Sequence, residues 1–134
     1  SGHRLTVACP PGLTVDTYPG ALVEILTGLV INSLDHAFPD GRPGALAVTV
    51  TAEEEGGAWV TLVYQDNGDG IEAGLRTKVF EPFFTTARGR GKTGLGLYTV
   101  FNLVTHKLKG QIALGRSAEG GVRFTLRFPA VLPA

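Results

Sequence analysis

Leu5 and Val7 alternate with polar neighbours between His3 and Cys9, the period of a short strand, and Pro10-Pro11-Gly12 stops it. Leu13 to Pro19 shows no sustained period and is expected to be irregular. From Gly20 to about Phe38, the residues Leu22, Ile25, Leu26, Leu29, Val30 and Ala37 recur at helical spacing. They predict a long helix, apolar over so much of its girth that cover on more than one side is expected. Pro39-Asp40-Gly41 and Pro43-Gly44 end it in a loop. Leu46, Val48 and Val50 then alternate through Ala45 to Ala52, and Ala58 to Gln65 is the apolar partner strand. The connection, Glu53-Glu54-Glu55-Gly56-Gly57, reads as a hairpin whose acidic run is a solvated turn. A short helix is expected within Glu72 to Val79. A second helix is expected from Leu95 to Lys107, with Leu97, Val100, Phe101 and Val104 on one face and Lys109-Gly110 at its end. Gln111 to Arg116 and Arg123 to Pro129 form the last two strands, turning through Ser117-Ala118-Glu119-Gly120-Gly121, with a tail at Val131 to Ala134. This order predicts an α+β domain, a sheet with helices stacked on one face.

Composition narrows the class. A chain of 134 residues fits one domain able to bury a core. Twelve basic and twelve acidic side chains balance, so nothing in bulk pulls it toward nucleic acid, and no nucleic-acid partner is expected. The single cysteine, Cys9, excludes an internal disulfide framework and suits a reducing, cytoplasmic setting. No apolar run approaches the roughly 20 residues needed to cross a bilayer. There is no methionine, the initiator included, which supports reading the chain as a piece of something longer.

The chemistry gathers in Asp66 to Leu97, DNGDGIEAGLRTKVFEPFFTTARGRGKTGLGL. Two glycine clusters, Gly68/Gly70 and Gly89/Gly91/Gly94/Gly96, flank an aromatic–proline knot, Phe80-Glu81-Pro82-Phe83-Phe84. Glycines in such numbers let the backbone approach a ligand, and a glycine run that opens an apolar helix turns amide N–H groups toward an anion. Asp66 ends an apolar strand; an ionised carboxylate there is placed to accept from an exocyclic amine such as adenine's, although Asp-Asn-Gly is also an ordinary turn. Arg88, Arg90 and Lys92 add positive charge beside the second helix, where a triphosphate would meet amides and cations, or else they are a solvated loop. The run lacks the spacing of a Walker loop, and no parallel strand precedes it. Asn32 sits in the apolar first helix, with His36 one turn on and Asp35 beside it. Taken alone it is a satisfied core amide; its carbonyl oxygen is also a hard ligand suited to Mg²⁺.

Together these pieces resemble the ATP-binding catalytic domain of sensor histidine kinases, in the superfamily of gyrase, heat-shock chaperone and mismatch-repair ATPases (the GHKL or Bergerat-fold group). Asn32-Ser33-Leu34-Asp35-His36-Ala37 resembles the N box and Asp66 to Ile71 the G1 box. Phe80 to Phe84 resembles the F box, and Gly91 to Leu97 the G2 box. The resemblance implies a two-layer α+β sandwich with a mixed, mostly antiparallel sheet and helices on one face. It implies ATP and Mg²⁺ as ligands, with Asn32 on the metal and Asp66 on the adenine amine. The nucleotide-contacting set it implies further comprises Asp35, His36, Gly68, Gly70, Ile71, Phe84, Thr85, Thr86, Arg88, Arg90, Gly91, Lys92, Thr93, Gly94, Leu95, Gly96 and Leu97. Thr85 to Thr93 would be the lid over the nucleotide, expected to be mobile because almost nothing in it is apolar.

Three positions depart from the family pattern. Gly28 stands where relatives often have a second polar residue, which argues against base-assisted water attack. Asp35 stands where many have Lys, and Val122 where many have Ser or Thr. The family reaction moves the γ-phosphoryl group of ATP to a histidine on a separate dimerisation domain, with a response regulator downstream. Neither His3, His36 nor His106 lies in a setting like the acceptor's, so the chain alone is expected to show little or no self-phosphorylation; it is also expected to be a monomer. Two alternatives stay open: a serine kinase of the anti-sigma-factor type, and a nucleotide-binding module without kinase activity.

Overall fold

The computed structural model describes residues 4–11, 13, 15–34, 44–53, 58–76, 78–81 and 96–131. Five strands form one sheet in the order β1-β2-β3-β5-β4: β1 (Arg4–Ala8), β2 (Ala45–Ala52), β3 (Trp59–Asp66), β4 (Gln111–Arg116) and β5 (Val122–Pro129). β1 runs parallel to β2, and the other neighbours are antiparallel. Helix α1 spans Pro19–Asn32 and α2 spans Gly96–Asn102, the latter continuing as a π-helical turn, Leu103–Lys107. This is the expected α+β sandwich with a mixed, mostly antiparallel sheet.

Period-2 alternation divides the sheet into a packed and an open face. Val60, Leu62 and Tyr64 of β3 and Phe124, Leu126 and Phe128 of β5 all point inward, and the register sets Tyr64 opposite Phe124 and Leu62 opposite Leu126. These side chains meet Ala21, Ile25 and Leu29 of α1 and Leu97, Val100 and Val104 of the second helix in one core. The outer face carries Arg127, whose guanidinium lies 4.1 Å from the Trp59 ring centroid and pairs through two nitrogens with Glu53. That bond holds the Glu53 carboxyl below its ordinary value. Glu53, expected in a solvated turn, is thus tied to the sheet; the rest of that turn lies outside the described residues.

The strand expected around Leu5 and Val7 is present as β1, an edge strand on which both side chains are exposed. Two expectations need correction. Helix α1 is covered chiefly along one stripe: Ala21, Ile25 and Leu29 are buried, whereas Val23 and Ile31 are more than half-exposed or half-exposed. Its outer side and α2 border a groove of about 370 Å³ that includes Thr27, Gly28, Ile31 and Thr99. High apolar content had suggested a second cover that the described residues do not supply. Finally, the short helix after β3 is a single 3₁₀ turn, Ala73–Leu75, and the expected strands at Ala58 and Arg123 each shift by one residue, to begin at Trp59 and Val122.

Glycine at two helix positions answers to packing. A Cβ at Gly28 would stand 2.6 Å from Cγ2 of Val100, so α1 and α2 cross where α1 has no side chain. At the end of the second helix Lys109 itself takes the left-handed conformation, φ 59°, that glycine usually supplies. Gly110 is needed instead because a Cβ there would run into the Arg127 carbonyl and Phe128 of β5. Beyond β5, Val131 pairs with Asp16 in an isolated parallel bridge, so the end of the described chain returns beside the segment that leads into α1.

Candidate functional site

Ser33, Asp66 and Ser117 are the buried polar residues among those described, and all three belong to one hydrogen-bonded network. The sequence brings them together by two periodicities. Along β3 the inward positions run Val60, Leu62, Tyr64, Asp66, so the alternation that fills the core ends on a carboxylate. Along α1 the buried stripe Ala21, Ile25, Leu29 recurs every fourth residue, and the next position is Ser33.

Asp66 is 3% exposed. Its Oδ1 accepts the backbone N–H of Gly68 at 3.0 Å and that of Val122 at 3.1 Å. Its Oδ2 accepts the Ser33 hydroxyl at 2.7 Å. Ser33 Oγ also lies 2.7 Å from the Tyr64 hydroxyl. Three donors among the described residues, on a carboxylate with about four acceptor lobes, leave one lobe, on Oδ2, for a further N–H. Burial pushes the Tyr64 phenol up to about 12, with the nearby Asp66 charge adding to the rise. Val122 serves Asp66 through its backbone N–H, and the hydroxyl on Asp66 comes from Ser33 on the opposite layer.

The β4–β5 turn braces the same point from below. Ser117 Oγ donates to the Asp66 carbonyl at 2.8 Å and accepts from the Gly121 N–H at 2.9 Å. A Cβ at Gly121 would collide with the Asp66 carbonyl oxygen and Oδ1. Gly70, with φ 77°, packs so that a Cβ would stand 2.6 Å from the Gly120 carbonyl oxygen. Its freedom is therefore used by the turn that follows β3 as well as by any ligand. Asn67 ties this turn to β2, its Oδ1 accepting from Ala45 N at 2.8 Å, and Arg76 Nε donates to the Ile71 carbonyl at 3.2 Å.

The remaining expected residues fall into two groups. Asn32 is the last residue of α1, half-buried, and is joined by one peptide bond to Ser33. Gly68 is buried and Ile71 half-buried against the core. Gly96 is exposed at the start of α2 with open space where a Cβ would sit, while Leu97 is buried in the core. Phe80 anchors the aromatic knot, its ring centroid 5.5 Å from that of Phe101 and 6.1 Å from that of Phe124. Asp35, His36, Phe84, Thr85, Thr86, Arg88, Arg90, Gly91, Lys92, Thr93, Gly94 and Leu95, and with them the expected lid, lie outside the described residues. Sequence reasoning passed over Ser33, Tyr64, Ser117 and the Val122 amide. The fourfold spacing on α1 and the twofold spacing on β3 were the available signals for the first two.

A sequence model of the family described as histidine kinase-, DNA gyrase B-, and HSP90-like ATPase matches residues 17–132. The two-component sensor PprA of Pseudomonas aeruginosa is 36% identical over 140 aligned residues, covering 98% of this chain. The chain spans 14% of the length of that sensor. Among solved structures, the catalytic domain of histidine kinase ThkA in a nucleotide-free form superposes with a TM-score of 0.81 at 25% identity, covering 98% of this chain and 82% of that one. Full-length ShkA in complex with AMPPNP superposes at 0.79 and 25% identity, covering 99% of this chain and 27% of that one.

Proposed function

The chain belongs to the histidine kinase-, DNA gyrase B-, and HSP90-like ATPase family, and from that premise we propose that it is the ATP- and Mg²⁺-binding catalytic domain of a two-component sensor histidine kinase. The observation that carries the reading is the buried Asp66, whose carboxylate is pinned by three protein donors with one acceptor lobe left on Oδ2. That lobe suits the 6-amino group of adenine and repels the carbonyl oxygen that guanine carries at the same place. A buried carboxylate left short of a donor would otherwise be costly.

Asn32 is the protein ligand for Mg²⁺ in this reading. One amide oxygen is compatible with a cation that keeps several waters and takes its other oxygens from phosphates. Gly96, with nothing filling the space of a Cβ, and the glycines and cations before it belong to the phosphate end. Phosphoryl transfer depends on positioning and on charge stabilisation, and these residues supply binding and orientation. The position one turn before Asn32 is Gly28, which has no side chain, so a water-activating base does not come from there. The phosphoryl acceptor is a histidine on a dimerisation domain elsewhere in the full-length protein, with a response regulator beyond it and a cytoplasmic setting for the transfer. Among the described residues no helix is long and apolar enough to cross a membrane.

Titration of the chain with ATP, ADP and GTP, with and without Mg²⁺, tests this. Adenine nucleotides are expected to bind in preference to GTP, and Asp66→Asn to abolish the preference. An unchanged preference in that variant sinks the assignment of Asp66. Supplying the dimerisation domain in trans is expected to be required for phosphohistidine; phosphohistidine formed on the chain alone contradicts the proposed division of labour.

A further inference from the structure

We infer that Ser33 is a specificity-determining positioning residue: its hydroxyl, held in turn by Tyr64, fixes Oδ2 of Asp66 where it selects an exocyclic amine. The inference rests on the reading of Asp66 as the adenine partner.

A serine hydroxyl has one proton. Ser33 gives that proton to Oδ2 of Asp66, 2.7 Å away. The 2.7 Å contact with Tyr64 is therefore donated by the phenol, and the chain of donation runs from Tyr64 to Ser33 to Asp66. Ser33 and Tyr64 are both 0% exposed, so water does not compete for either bond. Burial also keeps the phenol protonated, and hence a donor, far above neutral pH.

The two oxygens of Asp66 differ in what holds them. Oδ1 takes two backbone amides, from Gly68 and Val122, and both lobes are used. Oδ2 takes Ser33 alone among the described residues. Without that hydroxyl the carboxylate is anchored at one oxygen, and the open lobe of Oδ2 is no longer aimed. Ser33 thus acts on ligand choice through Asp66, and does so from α1, one peptide bond from Asn32.

The test uses the whole chain and three triphosphates: ATP, GTP and purine riboside triphosphate, which keeps the purine ring but lacks the 6-amino group. Ser33→Ala strands the buried Tyr64 hydroxyl and risks misfolding, so the deciding variant is Ser33→Ala/Tyr64→Phe, which removes both hydroxyls together. Thermal melting confirms that it folds. ATP binding is expected to weaken roughly tenfold in this variant, the worth of one hydrogen bond to a charged group. Binding of the amine-free analogue is expected to change by less than about twofold on the same reasoning. Equal weakening of both ligands shows a structural role only and overturns the inference. So does an unchanged ratio of the two affinities while Asp66→Asn collapses it, a result that leaves the Asp66 reading standing. A ratio that Asp66→Asn itself fails to move removes the adenine assignment and this inference with it.

Discussion

Gly121 lies against Asp66 so closely that a single methyl group on its Cα would run into both the carbonyl oxygen and Oδ1 of that residue. Asp66 belongs to β3 and Gly121 to the turn between β4 and β5, and Ser117 joins the two through its hydroxyl. The carboxylate is thus seated on a backbone platform that tolerates no side chain. Gly121→Ala is expected to cost at least about 2 kcal/mol, since the clash is with backbone that cannot swing aside. It should also weaken ATP binding, as Asp66 is displaced. Urea denaturation and nucleotide titration of the same variant check both; a stable variant with full affinity contradicts the platform.

Tyr64 gives the protein an alkaline limit. Its phenol is pushed from 10.0 to about 12 in the folded state, chiefly by burial. The folded chain holds this proton more tightly than the unfolded chain, so the contribution is fully present below pH 10 and is lost as pH rises from 10 toward 12. Two units correspond to about 3 kcal/mol. Stability measured by denaturation is expected to fall across this window in the wild type and to fall less steeply in Tyr64→Phe. Parallel curves for the two proteins would show that the phenol does not titrate there.

Gly28 and Val100 set the approach of the two helices. A Cβ at residue 28 would sit 2.6 Å from Cγ2 of Val100, which is 1% exposed and, being β-branched, has one favoured rotamer in a helix. In the wild type, Gly28→Ala is expected to destabilise by about 1–2 kcal/mol despite the better helix propensity of alanine. In a Val100→Ala background the clash disappears and the same change should stabilise by up to about 1 kcal/mol. The reversal of sign, read by a double-mutant cycle, is the outcome to look for.

Asn32→Ala separates the metal from the base. If Asn32 supplies the amide oxygen for Mg²⁺, the variant should lose the Mg²⁺-dependent gain in ATP affinity while keeping its preference for ATP over GTP, which Asp66 sets. Titrations with and without Mg²⁺ check this. A lost base preference with the Mg²⁺ gain intact would reverse the assignment.

Much of this was legible in the chain because it rests on local rules. Alternation placed β2 at Ala45–Ala52 and the inward face of β3, and 3.6-residue spacing placed both helices, since burial of one face dictates those periods. The motif segments Asn32 to Ala37, Asp66 to Ile71, Phe80 to Phe84 and Gly91 to Leu97 carried the family, because a ligand-binding backbone needs particular residues at particular spacings. Local rules do not say what lies on the other side of an element. That α1 is covered along one stripe, that β1 is exposed on both faces, that Gly28 answers to Val100 and Gly121 to Asp66, and that Ser33 meets Tyr64 and Asp66 across more than thirty residues were decided only when the two layers packed. The sequence by itself singled out Asp66 at the end of an apolar strand; the tertiary structure decided which lobe of its carboxylate is left open among the described residues, because that depends on donors brought from α1, β5 and the turn after β3 to one buried carboxylate.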